Sequence, residues 1–249
     1  MIAIKSEQEI GIMRQAGRKL AQVMKELKNK VEIGITTKEL DRVAETLIFK
    51  SGAVPAFKGY DGFPATLCTS VNKTIVHGIP SNYQLKNGDI LALDIGLKYK
   101  GFFSDMAITM PIGEVNPEIH KLIEVTKESL RLSIEAVKVG VTFGEIGELI
   151  ENYVKSQKLD VIRELCGHGI GRDLHEDPQI LNYKERKETP EIKLGMVFCF
   201  EPMVTAGDWR IKQSLDGSGW QTEDGSLSAH FEHTIAMTKN GPEILTKLD

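Results

Sequence analysis

Residues 31–48, VEIGITTKELDRVAETLI, align without gaps on residues 137–154, VKVGVTFGEIGELIENYV. Both segments share a Gly, a Thr and a Glu three residues after that Thr, which is the capping-box pattern of a helix N-terminus. Helical patterns precede both segments and strand-like segments follow both. The repeat therefore predicts two related α/β halves, roughly 1–110 and 111–249, packed in one domain of residues 1–249, because two units are too few for an open array.

Local patterns place the first two helices. Residues 6–28 open with Ser6 and Glu9 at capping-box spacing and continue with an apolar stripe of helical period. Residues 35–52 open with Thr36 and Glu39 and close at Gly52, where a left-handed residue commonly ends a helix. Both stretches predict amphipathic helices.

Apolar strand-like segments follow each of the two repeated segments, residues 31–48 and 137–154. Residues 89–110 predict a hairpin of two strands turning near positions 98–101. Residues 196–204 and 226–237 predict further strands, and the polar, glycine-rich residues 205–225 between them predict a loop or short hairpin. The expected class is α+β, with a largely antiparallel sheet and helices on its outer side.

Composition narrows the class of protein. The 249 residues carry 31 Lys and Arg against 35 Asp and Glu, so no basic surface indicates nucleic acid or an anionic membrane as a partner. The N-terminus lacks the apolar core of a signal peptide, and no window resembles a membrane span. The three cysteines have neither zinc-site nor redox spacing. We expect a soluble, reduced, cytoplasmic protein.

Two aspartates interrupt the apolar strands of the first hairpin. If its turn centres on Tyr99 and Lys100, Asp94 and Asp105 face each other across the strands, where like charges are destabilising. A bulge at Gly101 would instead shift the register by one residue. In either arrangement, two carboxylates in strands require a positive partner.

The second half supplies two more acidic residues in corresponding strands, Glu201 and Glu232. One strand carboxylate is commonly capped, solvated or paired with a cation, but four in apolar strands are too costly to bury without counter-charge. Four carboxylates and a histidine form a ligand set for two divalent ions, with one Asp and one Glu bridging. Oxygen-rich ligands favour Mn²⁺, Fe²⁺ or Co²⁺ over a thiolate-type zinc site.

Residues 166–178, CGHGIGRDLHEDP, contain two histidines seven positions apart, His168 and His175. This spacing does not fit the helical zinc motif, whose two histidines are four residues apart, and the glycines argue against a helix. The stretch by itself leaves open whether these histidines are ligands, catalytic groups or structural residues.

Several motifs together resemble the type I methionine aminopeptidases of the short bacterial form. They are VNKTIVHGIP, LDIGLKYKGFFSDMAITM, CGHGIGRDLHEDPQI, FCFEPMV and SLSAHFEHTIAM, in the family's order and across essentially the whole chain. The resemblance implies the pita-bread fold, two pseudo-symmetric α/β halves with a dimetal site between them. It also implies one catalytic domain that removes the N-terminal methionine from nascent proteins with a small second residue, using a dimetal-activated water.

The resemblance also implies roles for individual residues. Glu201 is implied as the general base, while His175 and His77 would contact the scissile amide and stabilise the developing charge. A turn histidine with satisfied hydrogen bonds is the alternative for His77. The implied metal ligands are Asp94, Asp105, His168, Glu201 and Glu232, with Asp105 and Glu232 bridging two ions that could be Fe²⁺, Mn²⁺, Co²⁺ or Zn²⁺.

The implied methionine pocket has an apolar wall of Tyr60, Phe63 and Cys68, which suits a thioether. These three residues could instead simply pack a loop. Leu174 stands where the family usually has Phe, and Trp220 is about two residues from the expected pocket tryptophan, so the pocket rim is expected to differ. The family also often holds a monovalent cation, Na⁺ or K⁺, near positions equivalent to Asn72, Thr74 and Ser228.

Two other functions compete with this interpretation. Prolidase and aminopeptidase P share the fold and ligands but carry an added N-terminal domain, for which we expect no room before the first helix. Pita-bread proteins that have lost their metals act as binding modules, which the complete ligand set opposes. We expect a monomer that acts on nascent N-termini at the ribosome, with neither a specific nucleic acid nor a membrane as partner.

Overall fold

The computed structural model describes residues 2–185 and 187–248, which contain four α-helices and fifteen β-strands. No helix in this part of the chain is long and apolar enough to cross a membrane. The helices are α1 (Glu7–Lys28), α2 (Thr37–Lys50), α3 (Pro117–Ala136) and α4 (Phe143–Ser156). The strands are β1 (Val54–Pro55), β2 (Leu67–Val71), β3 (Thr74–Val76), β4 (Ile90–Tyr99), β5 (Phe102–Pro111), β6 (Asp160–Val161), β7 (Cys166–Gly169), β8 (Glu176–Leu181), β9 (Val197–Phe200), β10 (Met203–Thr205), β11 (Ile211–Gln213), β12 (Trp220–Thr222), β13 (Ser228–His230), β14 (Glu232–Thr238) and β15 (Gly241–Ile244).

The helices begin where the capping patterns predict. Complete capping boxes form at Ser6 for α1, at Thr36 for α2 and at Thr142 for α4, each with a Glu three residues later. Gly52, just past α2, has a φ of 77°, so the expected left-handed end is also confirmed.

The central sheet has nine strands in the order β1-β4-β5-β14-β9-β7-β8, with β15 beside β14 and β2 beside β4. Its paired strands are antiparallel, and the hairpin expected within residues 205–225 forms between β11 and β12. Two smaller sheets, β13-β10-β6 and β11-β12-β3, complete the strands. The expected α+β class with a largely antiparallel sheet is confirmed.

The two repeated segments form corresponding structures. Thr36 precedes α2 and makes an isolated antiparallel bridge with Gln84, and Thr142 precedes α4 and makes one with Glu191. α1 packs on α2 and α3 packs on α4, so each half contributes a helix pair. The gapless repeat in the sequence therefore corresponds to repeated local structure.

Strand alternation separates the apolar core from the opposite face of the sheet. Leu93 and Ile95 of β4 and Met106 of β5 belong to the main core together with residues of the helices. Because successive side chains point to opposite faces, Asp94 and Asp105 point away from that core. The helices therefore cover one face of the sheet, and the acidic residues lie on the other.

The expected direct pairing of the two aspartates is wrong. The turn centres on Lys100 and Gly101, one residue later than expected, and no bulge interrupts the hairpin. Asp94 pairs with Ala107, and Asp105 pairs with Gly96. Moving the turn by one residue changes each partner by two positions, so both aspartates keep the same face and are diagonal neighbours.

Candidate metal centre

Three neighbouring strands bring two distant carboxylates together. Ala107 of β5 pairs with Asp94 of β4 on one side and with Glu232 of β14 on the other. Directly paired residues share a face, so the two carboxylates flank a small methyl side chain. Asp105, two residues before Ala107, lies on that face as well. One oxygen from each of Asp94, Asp105 and Glu232 lies within 4.8 Å of the others.

The second half brings in the histidine and the fourth carboxylate. His168 of β7 pairs with Cys199 of β9, and Cys199 pairs with Thr234 of β14. Glu201 follows β9 directly, and its Oε1 lies 3.6 Å from His168 Nε2. The same His168 nitrogen lies 3.8 Å from Glu232 Oε1. All five residues implied as ligands are thus brought to one place by β4, β5, β7, β9 and β14.

Within the described ranges, these carboxylates lack lysine or arginine partners. Asp94 Oδ1, Asp105 Oδ1 and Glu232 Oε1 are buried and have no hydrogen-bond partner within the described ranges. In the described residues, the basic groups within 4.0 Å of Glu201 and Glu232 are the imidazoles of His168 and His230. Burying several anions this way is highly unfavourable unless a cation is present.

Electrostatics indicates the same deficit of positive charge. Burial raises the pKa of Asp94 to about 6, although His230 lowers it. Burial, together with neighbouring carboxylates, raises the pKa values of Asp105, Glu201 and Glu232 well above their ordinary range. Burial also lowers the pKa of His168 to about 3, so this imidazole is neutral and available as a ligand.

The donor set fits hard or borderline divalent ions. It offers four carboxylates and one neutral imidazole around orphaned buried oxygens, which is the chemistry that Mn²⁺, Fe²⁺, Co²⁺ or Zn²⁺ accepts. Bound ions would supply the positive charge that the surrounding residues do not. The side chains of the centre therefore fit divalent metal ions.

The centre lies at one side of a cavity of about 920 Å³. His175 and His77 both line this cavity, together with the five acidic and imidazole residues described above. The His175 ring meets the His168 ring edge-on, with centroids 4.5 Å apart. Tyr60 Oη lies 3.0 Å from His175 Nδ1, so a hydroxyl contact orients that ring.

His77 has an unusual backbone. Its φ is 56°, in the left-handed region that a residue with a side chain rarely adopts. The next residue, Gly78, cannot carry a Cβ, because that atom would lie 2.4 Å from the carbonyl oxygen of Thr69. Burial, with His230 and His175 nearby, lowers the pKa of His77 to about 4. The tight turn thus presents a neutral imidazole at the cavity.

The residues expected for a methionine pocket also line the cavity. Tyr60, Phe63 and Cys68 are all on its wall, and Leu174 joins them as a buried side chain with 1% exposure. Trp220 does not belong to the wall as defined by the described residues. It lies on β12 opposite Val76 and packs against an apolar cluster whose members Val76 and Met203 line the cavity.

Two residues at the centre were missed by sequence reasoning. His230 of β13 is 1% exposed, and its Nε2 lies 3.5 Å from Glu201 Oε2. Neither of its ring nitrogens has a hydrogen-bond partner within residues 2–185 and 187–248. Cys199 Sγ can approach His168 and Glu232 within 4.8 Å, but burial raises its pKa well above normal and keeps it a neutral thiol. His230 lies two residues before Glu232, and Cys199 lies two residues before Glu201. Because residues two apart in a strand share a face, this spacing was the signal in the sequence.

The residues named for a monovalent cation also come together. Ser228 Oγ lies 3.3 Å from the carbonyl oxygen of Asn72 and 3.1 Å from that of Thr74, and either oxygen can accept its proton. Asn72 has a φ of 57°, and its side-chain amide donates to Asp89. These contacts bring two carbonyl groups and one hydroxyl into proximity.

Known proteins resemble this chain in sequence and in fold over nearly its whole length. A curated relative, methionine aminopeptidase 1 of Bacillus subtilis, is 48% identical over 248 residues and aligns over 100% of both chains. A crystal structure of a methionine aminopeptidase from Thermotoga maritima superposes with a TM-score of 0.97 at 41% identity, covering 99% of this chain and 100% of that one.

A prolidase from Pyrococcus horikoshii shares the fold alone. It superposes with a TM-score of 0.78 at 24% identity, and the match covers 99% of this chain but 64% of the prolidase. Together with the methionine aminopeptidase structure, it confirms the pita-bread fold with two α/β halves.

The family model described as metallopeptidase family M24 matches residues 11–239. On these matches and this geometry, the chain belongs to metallopeptidase family M24.

Proposed function

We propose that the chain is a metal-dependent aminopeptidase that removes the N-terminal methionine from proteins with a small second residue. One observation carries this proposal most directly: three buried carboxylates, the partly buried Glu201 and one neutral imidazole converge on a cavity, and three carboxylate oxygens there have no hydrogen-bond partner among the described residues. The relatives at 40–48% identity over nearly the whole chain are named methionine aminopeptidases. The single catalytic domain of residues 1–249 remains part of this proposal.

Asp94, Asp105, His168, Glu201 and Glu232 would hold two divalent ions, with Asp105 and Glu232 between them. When bound, such ions lower the pKa of water and polarise the carbonyl group of the scissile bond. Glu201 borders the cavity and would accept the proton that the attacking water loses. The water oxygen would form the new bond to the scissile carbonyl carbon as it loses this proton, and Glu201 would pass the proton to the leaving amine nitrogen as the C–N bond breaks.

Two neutral imidazoles would position and stabilise the reacting amide. Burial lowers the pKa values of both His175 and His77, so each carries one ring proton at neutral pH. If the Tyr60 hydroxyl donates to His175 Nδ1, the ring proton is on Nε2, which can donate to the developing oxyanion. His77, held by its strained turn, would contact the scissile amide nitrogen.

The apolar wall would select the methionine side chain. Tyr60 and Phe63 offer aromatic surface, while Cys68 and Leu174 are buried, so an unbranched thioether would lose its water among polarisable groups. The preference for a small second residue is proposed from the family resemblance.

Several finer features are proposed on family resemblance. The ions would be Fe²⁺, Mn²⁺, Co²⁺ or Zn²⁺, and a monovalent cation would sit near Asn72, Thr74 and Ser228. The protein would act as a cytoplasmic monomer on nascent chains at the ribosome. The mildly acidic composition supports the lack of a nucleic-acid or membrane partner.

A paired peptide assay tests the proposed specificity. The Mn²⁺-loaded protein is incubated with Met-Ala-Ser and with an X-Pro dipeptide, and free amino acids are quantified. Release of methionine from Met-Ala-Ser, with the X-Pro peptide intact, is expected. Cleavage confined to the X-Pro peptide would contradict the proposal and indicate a prolidase-type activity.

A further inference from the structure

We infer that Lys5 is a positioning residue for His175, acting through the carboxylate of Glu176; this inference rests on the proposed function. Lys5 lies in the N-terminal arm, residues 2–6, ahead of α1. Its side chain is only 5% exposed, and Nζ donates to Glu176 Oε2 at 2.5 Å. Among the described residues Glu176 is its carboxylate partner, and the Ala3 carbonyl oxygen lies 3.4 Å from the same Nζ. The ion pair is a specific contact, because losing either member leaves a buried charge.

Glu176 organises the loop that carries His175. Glu176 follows His175 directly, and its second oxygen, Oε1, accepts the backbone N–H groups of Arg172, at 2.7 Å, and Asp173, at 3.3 Å. One carboxylate thus closes the turn that leads to His175. The ammonium of Lys5 holds the same carboxylate from the opposite end of the sequence, so the arm and the loop form one unit.

Two glycines make room for the arm. A Cβ at Gly171 would lie 2.6 Å from Lys5 Cε and 2.5 Å from Glu176 Oε1. A Cβ at Gly195, whose φ is 84°, would lie 2.8 Å from both Ile4 Cγ2 and the Lys5 carbonyl oxygen. The Gly195 carbonyl oxygen also accepts the Lys5 N–H at 2.8 Å. The passage for Lys5 is therefore built into both neighbouring segments.

A second tether on the same loop provides a control. Arg172 Nη2 lies 2.9 Å from Glu9 Oε1, but the Arg172 side chain is 68% exposed. An exposed pair of this kind contributes little to positioning. Arg172→Gln should therefore leave hydrolysis unchanged, whereas loss of the buried Lys5 contact should not.

The test is a double-mutant cycle on the Mn²⁺-loaded enzyme with Met-Ala-Ser as substrate. Lys5→Met keeps the length of the side chain and removes its charge. We expect kcat to fall by about 100-fold, since a 1 Å misplacement of a reacting group costs about that much, while bound Mn²⁺ and KM change little. In a His175→Ala background the same substitution should have almost no further effect, because the group that it positions is gone.

Hydrogen exchange supplies a readout that does not depend on activity. Amides of residues 170–176 should exchange faster in Lys5→Met than in the unsubstituted protein and in Arg172→Gln. If Lys5→Met does not fold, Glu176→Gln gives the same cycle from the other side of the ion pair. An equal loss of kcat with and without His175, or no change in kcat and exchange, would overturn the inference. If the unsubstituted enzyme does not hydrolyse Met-Ala-Ser at all, the proposed function fails instead.

Discussion

His230 Nε2 lies 3.5 Å from Glu201 Oε2 in the protein interior, where neither imidazole nitrogen has a hydrogen-bond partner among the described residues. The other carboxylate oxygen, Oε1, faces His168 at 3.6 Å. Glu201 is thus held between two imidazoles. Groups that orient a metal ligand from behind typically change metal affinity or activity by about 10- to 100-fold when removed.

We therefore expect His230→Leu to weaken Mn²⁺ binding by about 10- to 100-fold, because Glu201 loses the imidazole that packs 3.5 Å from its Oε2. His230→Gln keeps an N–H donor of similar reach and should recover much of the affinity. Calorimetric titration with Mn²⁺ measures both variants against the unsubstituted protein. Equal affinities for His230→Leu and the unsubstituted protein would show that the imidazole does not orient Glu201.

Asp105→Asn tests the proposed bridging carboxylate with almost no change of shape. The amide keeps the volume of the side chain but loses its negative charge, so metal content should fall and hydrolysis should decrease by more than about 100-fold, the upper limit for removing an outer partner. Elemental analysis after dialysis against Mn²⁺ gives the metal content. Asp89→Asn, a buried aspartate that bonds Asn72 and Tyr83 instead, is the matched control. Full metal content in Asp105→Asn would rule out its role as a bridge.

His175→Ala should separate chemistry from metal binding. Removing one donor to a developing oxyanion reduces kcat by about 10²- to 10³-fold, while the metal ligands are unchanged. Tyr60→Phe removes one hydrogen bond, worth about 1 kcal/mol, and should reduce kcat by about fivefold. Titration with Mn²⁺ measures metal binding, and steady-state kinetics measures kcat, in both variants. If His175→Ala loses as much metal as Asp105→Asn, His175 is a ligand and our assignment is incorrect.

The α4 capping box predicts a pH dependence of stability. Hydrogen bonds from the backbone and side chain of Thr142 lower the pKa of Glu145 in the folded protein. The folded state therefore binds fewer protons, and the stabilisation is complete above the ordinary glutamate pKa and is lost as pH falls through the lowered value.

In Glu145→Gln this contribution is absent, so its free energy of unfolding should fall less steeply with decreasing pH on the acid side of the ordinary glutamate pKa. Urea unfolding at a series of pH values measures the difference. Glu118→Gln in the first turn of α3, where Asn116 supplies the cap, is the control. Parallel pH profiles for Glu145→Gln and the unsubstituted protein would exclude this linkage.

Local chemistry made much of this structure predictable. Capping boxes at Ser6, Thr36 and Thr142 specify helix starts through contacts only three residues long, and the structure confirms them. The hairpin was predicted with its turn one residue early; Lys100 and Gly101, with φ values of 49° and 86°, form the turn, and the glycine was the available signal for it. The prediction that Asp94 and Asp105 share one face of the sheet was nevertheless correct, because side chains alternate between faces with a period of two.

Long-range contacts explain what the sequence did not reveal. Lys5 meets Glu176 across 171 positions, and no local pattern marks either residue. His230 approaches Glu201 only because β13 pairs with β10. The four acidic ligands could be predicted from the sequence, because carboxylates are rare in apolar, strand-like segments and so indicate a function.

The most direct test of the account is a Mn²⁺ titration of metal-free protein in which bound metal and Met-Ala-Ser hydrolysis are followed in the same samples. We predict no hydrolysis without metal, and activity that rises with occupancy in the unsubstituted protein but not in Asp105→Asn. Hydrolysis that persists after complete removal of metal, or full metal occupancy without release of methionine, would contradict the central claim.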